Sequence, residues 1–356
     1  MRWQTEVLIS PLKDRINYKD DIIFLGSCFA AEIGAKMEQL RFKVVVNPFG
    51  VLFNPGSISS SLNRIQTCEL FTQEELIKAG DIYKSFSHGS EFASISKEKF
   101  LSQNNSTLMH VSNHYKSCRW VVLTLGTSWV YRERKSGKIV SNCHKLPHSF
   151  FERATMEVEE IVDSLAPAIE ANPEKRWIIT VSPVRHLKEG ANGNQLSKAR
   201  LLLATEILVK RFPNLFYFPA YEIFMDQLRD YRFYAADMVH PSAEAVNYIW
   251  EQFCSFALEK SCDKIMKQID EINLMKSHRP MFPESEDYKS LLEKIANLEQ
   301  KQRSCTASLR QATLWYCRRY IFLHPTQKGQ SMLRSGRPPY IGYISRSRLR
   351  PFVDCI

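Results

Sequence analysis

Four short runs of nearly uninterrupted apolar residues, at 22–25, 120–126, 177–182 and 215–218, recur along this chain with stretches of helical spacing between them. A strand buried on both faces reads as a continuous apolar run, whereas a half-exposed strand alternates. Ile-Ile-Phe-Leu, Trp-Val-Val-Leu-Thr-Leu-Gly and Trp-Ile-Ile-Thr-Val-Ser therefore predict central strands, and Leu-Phe-Tyr-Phe a weaker one. Apolar residues at Ile33, Met37 and Leu40, and the patterns at 156–171, 195–212 and 242–258, predict helices. Strands alternating with helices predict an α/β, three-layer domain: a mostly parallel sheet with helices on both faces. Ligands of such sheets bind at the carboxyl ends of the strands.

This pattern fills residues 1–260, and 51–118 reads as a mixed, polar stretch, partly an insertion over the site. A helical extension is expected at 261–317, with Leu291, Leu292, Ile295 and Leu298 on one face of an exposed helix at 284–302. Residues 318–356 lose periodicity and hold eight Lys or Arg against one acid, Asp354, so they carry +7 of the net charge of +10. The main domain is thus nearly balanced, and charge gives no support to nucleic-acid binding. No apolar run is long enough for a membrane span, and the first residues lack the pattern of a signal segment. Nine cysteines without regular spacing predict neither a disulfide framework nor a metal cluster, and a reducing, cytoplasmic setting is expected. No metal or cofactor is expected.

The residues able to do chemistry follow predicted strands or lie in late loops. In Asp237-Met238-Val239-His240-Pro241-Ser242, an aspartate three residues before a histidine can hold one imidazole nitrogen and aim the other at a nucleophile. Gly26-Ser27-Cys28 lies on a strand-to-helix turn, where a helix N-terminus lowers a thiol pKa and offers N–H groups to an oxyanion. Either Ser27 or Cys28 fits the nucleophile. Asn47-Pro48-Phe49-Gly50 can bring the Gly50 N–H to a ligand, and Gly126-Thr127-Ser128-Trp129 ends the second strand. Asn142-Cys143-His144-Lys145 and Ser182-Pro183-Val184-Arg185-His186 complete the set; Arg185 suits an anionic group of a substrate. A turn of small residues, a capping aspartate and a surface histidine would give the same patterns singly.

Taken in order, and with Ser197-Lys198-Ala199, these segments resemble the GSCFA family, whose name is the run Gly26-Ser27-Cys28-Phe29-Ala30. The resemblance covers about residues 22–258. It implies a branch of the SGNH/GDSL hydrolases with a flavodoxin-like fold. It implies an ester or thioester hydrolase or acyltransferase acting on a small-molecule or glycan acyl ester. The implied catalytic residues are Cys28 or Ser27 with Asp237 and His240. Gly50, Ser128 and Asn142 are the implied oxyanion donors, and Arg185 and His144 the implied substrate contacts. Two departures stand out: Gly26-Ser27-Cys28 replaces the usual Gly-Asp-Ser and puts Cys28 in register with the nucleophile, and Ser128 replaces an asparagine. They motivate the alternative of a non-catalytic binding module for acylated glycans.

Overall fold

A computed structural model describes residues 5–305. The expected 318–356 tail, and the end of the expected extension, lie outside the described residues. The chain runs β1 (Asp21–Gly26), α1 (Cys28–Gln39), β2 (Lys43–Val46), α2 (Pro55–Thr67), β3 (Leu76–Ala79), β4 (Ile82–Ser85) and α3 (Lys97–Ser117). It continues through β5 (Trp120–Leu125), β6 (Trp129–Glu133), β7 (Ile139–Val140), β8 (Phe151–Thr155), α4 (Val158–Glu170), β9 (Arg176–Val181) and α5 (Gly190–Arg211). Then follow β10 (Leu215–Tyr217), a one-turn α6 (Ala220–Glu222), α7 (Ala243–Ala257), α8 (Cys262–Ser277) and α9 (Glu286–Cys305).

Five strands, in the spatial order β10-β9-β5-β1-β2, form a sheet in which every pairing is parallel. Numbered by their order within this sheet alone, they run 2-1-3-4-5, the doubly wound order of flavodoxin-like sheets. The period-two alternation of a strand splits its side chains between two cores. Ile23, Leu25, Val121, Leu123, Trp177 and Ile179 face one core with α2 to α5. Ile22, Phe24, Trp120, Val122 and Ile178 face the other with α1, α7 and α8. Each apolar side chain fully buried this way contributes roughly 1.5–3 kcal/mol. Both faces of the sheet are covered, which makes the runs continuous rather than alternating.

The three long apolar runs and the weaker fourth are all strands of this sheet. The fifth, β2, is short and only half-buried at three of its four positions, and the sequence reading missed it. Residues 51–118 depart further from expectation. They hold the hairpin β3–β4, but also α2 and α3, whose Ile58, Leu62, Ile65, Leu108 and Val111 pack into the first core. These helices are the crossover from β2 to β5, a structural layer and not a covering insertion. Polar Ser57, Ser61, Asn104, Thr107 and Ser112 are buried among the apolar residues of these helices, which breaks their apolar pattern. A second small sheet, β7-β6-β8, follows β5. The helix expected at 284–302 is α9; it buries Ile295 and pairs Glu299 with Arg41 and Lys276.

Candidate active site

Strand β1 ends on Gly26, whose φ of +143° is open to glycine and strained for other residues. A side chain there would also meet the Thr124 carbonyl oxygen at 2.2 Å. The turn is pinned from two sides: Gly26 N–H donates to Asn47 Oδ1 at 2.9 Å, and Leu52 N–H donates to the Gly26 carbonyl at 2.8 Å. Ser27 N–H donates to the Thr124 carbonyl at 3.1 Å, and α1 starts at the next residue.

The two nucleophile candidates part here. Ser27 is 1% exposed, and its Oγ neither caps the helix nor finds any other partner. Cys28 is half-buried and lines a cavity of about 270 Å³ together with Phe29, Val184, His240 and Pro241. Farther along α1 and α7 the same cavity meets Glu32, Lys36 and Asn247, and Lys36 Nζ donates to Asn247 Oδ1 at 2.6 Å. The N-terminus of α1, with the positive end of the helix dipole, lies at the cavity end that holds Cys28.

His240 reaches this cavity from a tight loop. One oxygen of Asp237 accepts from the N–H groups of Val239 and His240, at 2.9 and 3.0 Å. The other lies 2.7 Å from His240 Nδ1, which fixes that nitrogen as the donor and leaves Nε2 for another partner. Burial alone would raise the Asp237 pKa, but the bonds from His240 and Val239 outweigh it and hold the carboxyl below its usual range. Ala235 N–H donates to the His240 carbonyl, and Ser242 N–H to that of Phe233, so the loop closes as a small hairpin. Ser242 then caps α7 by accepting from Ala245 N–H, the helix start read from Pro241-Ser242.

The other expected site residues are not brought to this cavity. Gly50 N–H is used within its own turn, donating to the Asn47 carbonyl at 2.9 Å. Ser128 is fully buried, and both its N–H and its Oγ donate to Ser197 Oγ, at 2.8 and 3.2 Å. Asn142 Nδ2 donates to Ser90 Oγ, and its Oδ1 accepts from His144 N–H at 2.7 Å. His144 Nε2 bonds the Ser85 carbonyl at 2.7 Å, and burial pushes its pKa down. Arg185 stacks on Tyr234 and bonds the Met238 carbonyl. Each of these five residues spends its polar groups on the protein itself, where they hold the loops that carry them.

Two residues behind the cavity were not singled out as site residues. His186 is 3% exposed, with no partner for either ring nitrogen. Its Nε2 and the Ser27 Cβ both lie 3.3 Å from the point where a side chain on Gly126 would begin. Burial, then the charges of Lys198 and His240, push its pKa down to about 3, so the ring is neutral. Lys198 is fully buried, and its ammonium donates to the carbonyls of Gly126 and Ser182, at 2.6 and 2.7 Å. Burial pushes its pKa down to about 7. Lys198 thus ties together the chain just beyond β5 and β9, the edge where the motifs meet.

A comparison with family models decides the kinship of these ordered motifs. The GSCFA family model matches residues 21–253. The chain belongs to the GSCFA family. The matched region of this family member begins at β1 and ends within α7, so it contains the whole parallel sheet and both Cys28 and His240. No curated protein matches the chain. Among the described residues, no helix is long and apolar enough to cross a membrane, and no cluster of three or more His, Cys, Asp or Glu could hold a metal.

Proposed function

We propose that this GSCFA protein is an SGNH-type acyl hydrolase or acyltransferase in which Cys28 is the nucleophile, His240 the base and Asp237 its orienting partner. One observation carries the reading: Cys28 and His240 line the same cavity, and Asp237 holds His240 Nδ1 at 2.7 Å, so that Nε2 is the nitrogen left to take a proton. His240 Nε2 takes the Cys28 thiol proton as Sγ attacks an ester or thioester carbonyl. The positive end of the α1 dipole stabilises the oxyanion. It stands in for Gly50, Ser128 and Asn142, whose donors are engaged elsewhere. Collapse expels the alcohol or thiol, which leaves with the proton from His240. Water, deprotonated by His240, then attacks the Cys28 thioester and releases the acid; an alcohol in place of water gives acyl transfer. A reducing, cytoplasmic setting belongs to the same reading, since the site needs a free thiol.

The same engaged donors favour a second reading, a non-catalytic binding module for acylated glycans on the same fold. Labelling separates the two. Iodoacetamide and fluorophosphonate probes are applied to wild type, Cys28→Ala and His240→Ala. The hydrolase reading expects fast alkylation at Cys28 that slows at least tenfold in His240→Ala. Labelling of Cys28 no faster than that of free cysteine favours the binding module.

A further inference from the structure

We propose that Arg185 is the positioning residue for His240: by stacking on Tyr234 and binding the Met238 carbonyl, it fixes the turn that aims the imidazole at Cys28. The proposal rests on the Cys28–His240 reading above and gives Arg185 a role other than the substrate contact first expected of it.

The geometry comes from three directions. Arg185 N–H donates to the Val239 carbonyl at 3.2 Å, and its guanidinium Nη2 donates to the carbonyl of Met238. Both acceptors lie between Asp237 and His240, so the strand β9 side of the site holds two of the three peptides that link the pair. The guanidinium carbon lies 4.4 Å from the centre of the Tyr234 ring, which also packs edge-on against Phe224 at 4.7 Å and tilted against Tyr231 at 5.9 Å. Phe224 is 1% exposed in the second core. Arg185 is therefore the upper member of a column that anchors the loop to the core, and a planar cation suits it better than an ammonium does.

The backbone supports the same role. Met238 has φ +58°, a conformation that costs a non-glycine residue on the order of 1 kcal/mol or more and persists where its surroundings hold it. The carbonyl of this residue is the one that Arg185 binds. Next to it, Val184 lines the cavity and Ser182 receives the Lys198 ammonium. The segment 182–186 thus touches both halves of the site.

The test compares wild type with Arg185→Ala, Arg185→Lys and Tyr234→Leu. Two readouts are used: turnover of a short p-nitrophenyl ester, and the low-field proton resonance of a His240 Nδ1–H bonded to a carboxylate, assigned by its loss in His240→Gln. Arg185→Ala is expected to stay folded by circular dichroism, to lower kcat about 100-fold with KM within about threefold, and to abolish the resonance. Arg185→Lys should restore part of both, since an ammonium reaches the carbonyl but cannot lie flat on Tyr234. A raised KM with kcat unchanged would make Arg185 a substrate contact and overturn the proposal. A resonance absent from wild type, or unaltered by the substitutions, overturns it too. If Arg185→Ala does not fold, Tyr234→Leu decides by the same criteria. If wild type turns over no ester, the hydrolase reading fails while the resonance still decides the role of Arg185.

Discussion

The ammonium of Lys198 lies 2.6 Å from the carbonyl oxygen of Gly126, deep in the protein. Burial disfavours the charged form of Lys198 more than its carbonyl acceptors favour it. Its folded pKa, about 7, lies below the ordinary lysine value of 10.5. Between these values the unfolded chain binds the extra proton. Stability should therefore rise with pH above about 7, by at most about 1.4 kcal/mol per pH unit from this group. Urea unfolding at pH 7 and pH 9 measures it. Lys198→Met should flatten that rise relative to wild type while lowering stability at both, since it orphans two buried carbonyls. An identical pH slope in the two proteins would contradict the assignment.

Cys28 and Ser27 are adjacent, yet only Cys28 lines the cavity with His240. Cys28→Ala should remove esterase turnover by several orders of magnitude. Ser27→Ala should leave it within about tenfold. Because Ser27 Oγ is buried without a partner, its removal should leave thermal stability within about 1 kcal/mol of wild type or raise it. Loss of turnover only in Ser27→Ala would reverse the assignment.

Asp237→Asn keeps the shape of the loop but withdraws the charge that orients His240. Turnover should fall on the order of 10³-fold, with KM little changed. The folded pKa of Asp237 is depressed, so its contribution to stability is present above the ordinary aspartate range and is lost as pH falls through the lower, folded value. Acid unfolding of Asp237→Asn should accordingly be less steep below about pH 4 than that of wild type.

Gly26→Ala should destabilise the protein by more than about 3 kcal/mol, because a Cβ would press on the Thr124 backbone at a φ of +143°. Denaturant midpoints, or the yield of folded protein, would show it. A midpoint within 1 kcal/mol of wild type would mean that the turn can rewind.

The sheet was legible because its strands are buried on both faces, so Ile22 to Leu25 and Trp120 to Leu125 read as unbroken apolar runs. β2 was not, being four residues long and half-exposed. Helix α3 was hidden for another reason: Asn104, Thr107 and Ser112 lie among its buried positions, and Asn104 and Thr107 bond carbonyls one turn back in the same helix. Asp237 and His240 were legible because one short loop carries the pair. That the donors of Gly50, Ser128 and Asn142 bond the protein itself was not, since a motif does not say where its N–H groups point. Lys198 did leave a signal: with Asn194, Leu201, Thr205 and Leu208 it lies on the buried face of α5. A lysine on such a face marks a place where an ammonium is wanted inside.

The strand β1 side of the sheet carries one more lesson. Ile16 lies beside Leu258 in a parallel bridge; Ile16 N–H donates to the Ala257 carbonyl, and Glu259 N–H to that of Ile16. The segments that flank the family region on either side are thus clasped together, and the second core is shared between them. On the ribosome Cys28 is made well before His240, Phe253, Phe256 and the clasp. Vectorial synthesis therefore makes the cavity that Cys28 shares with His240 one of the last features of the fold to be assembled.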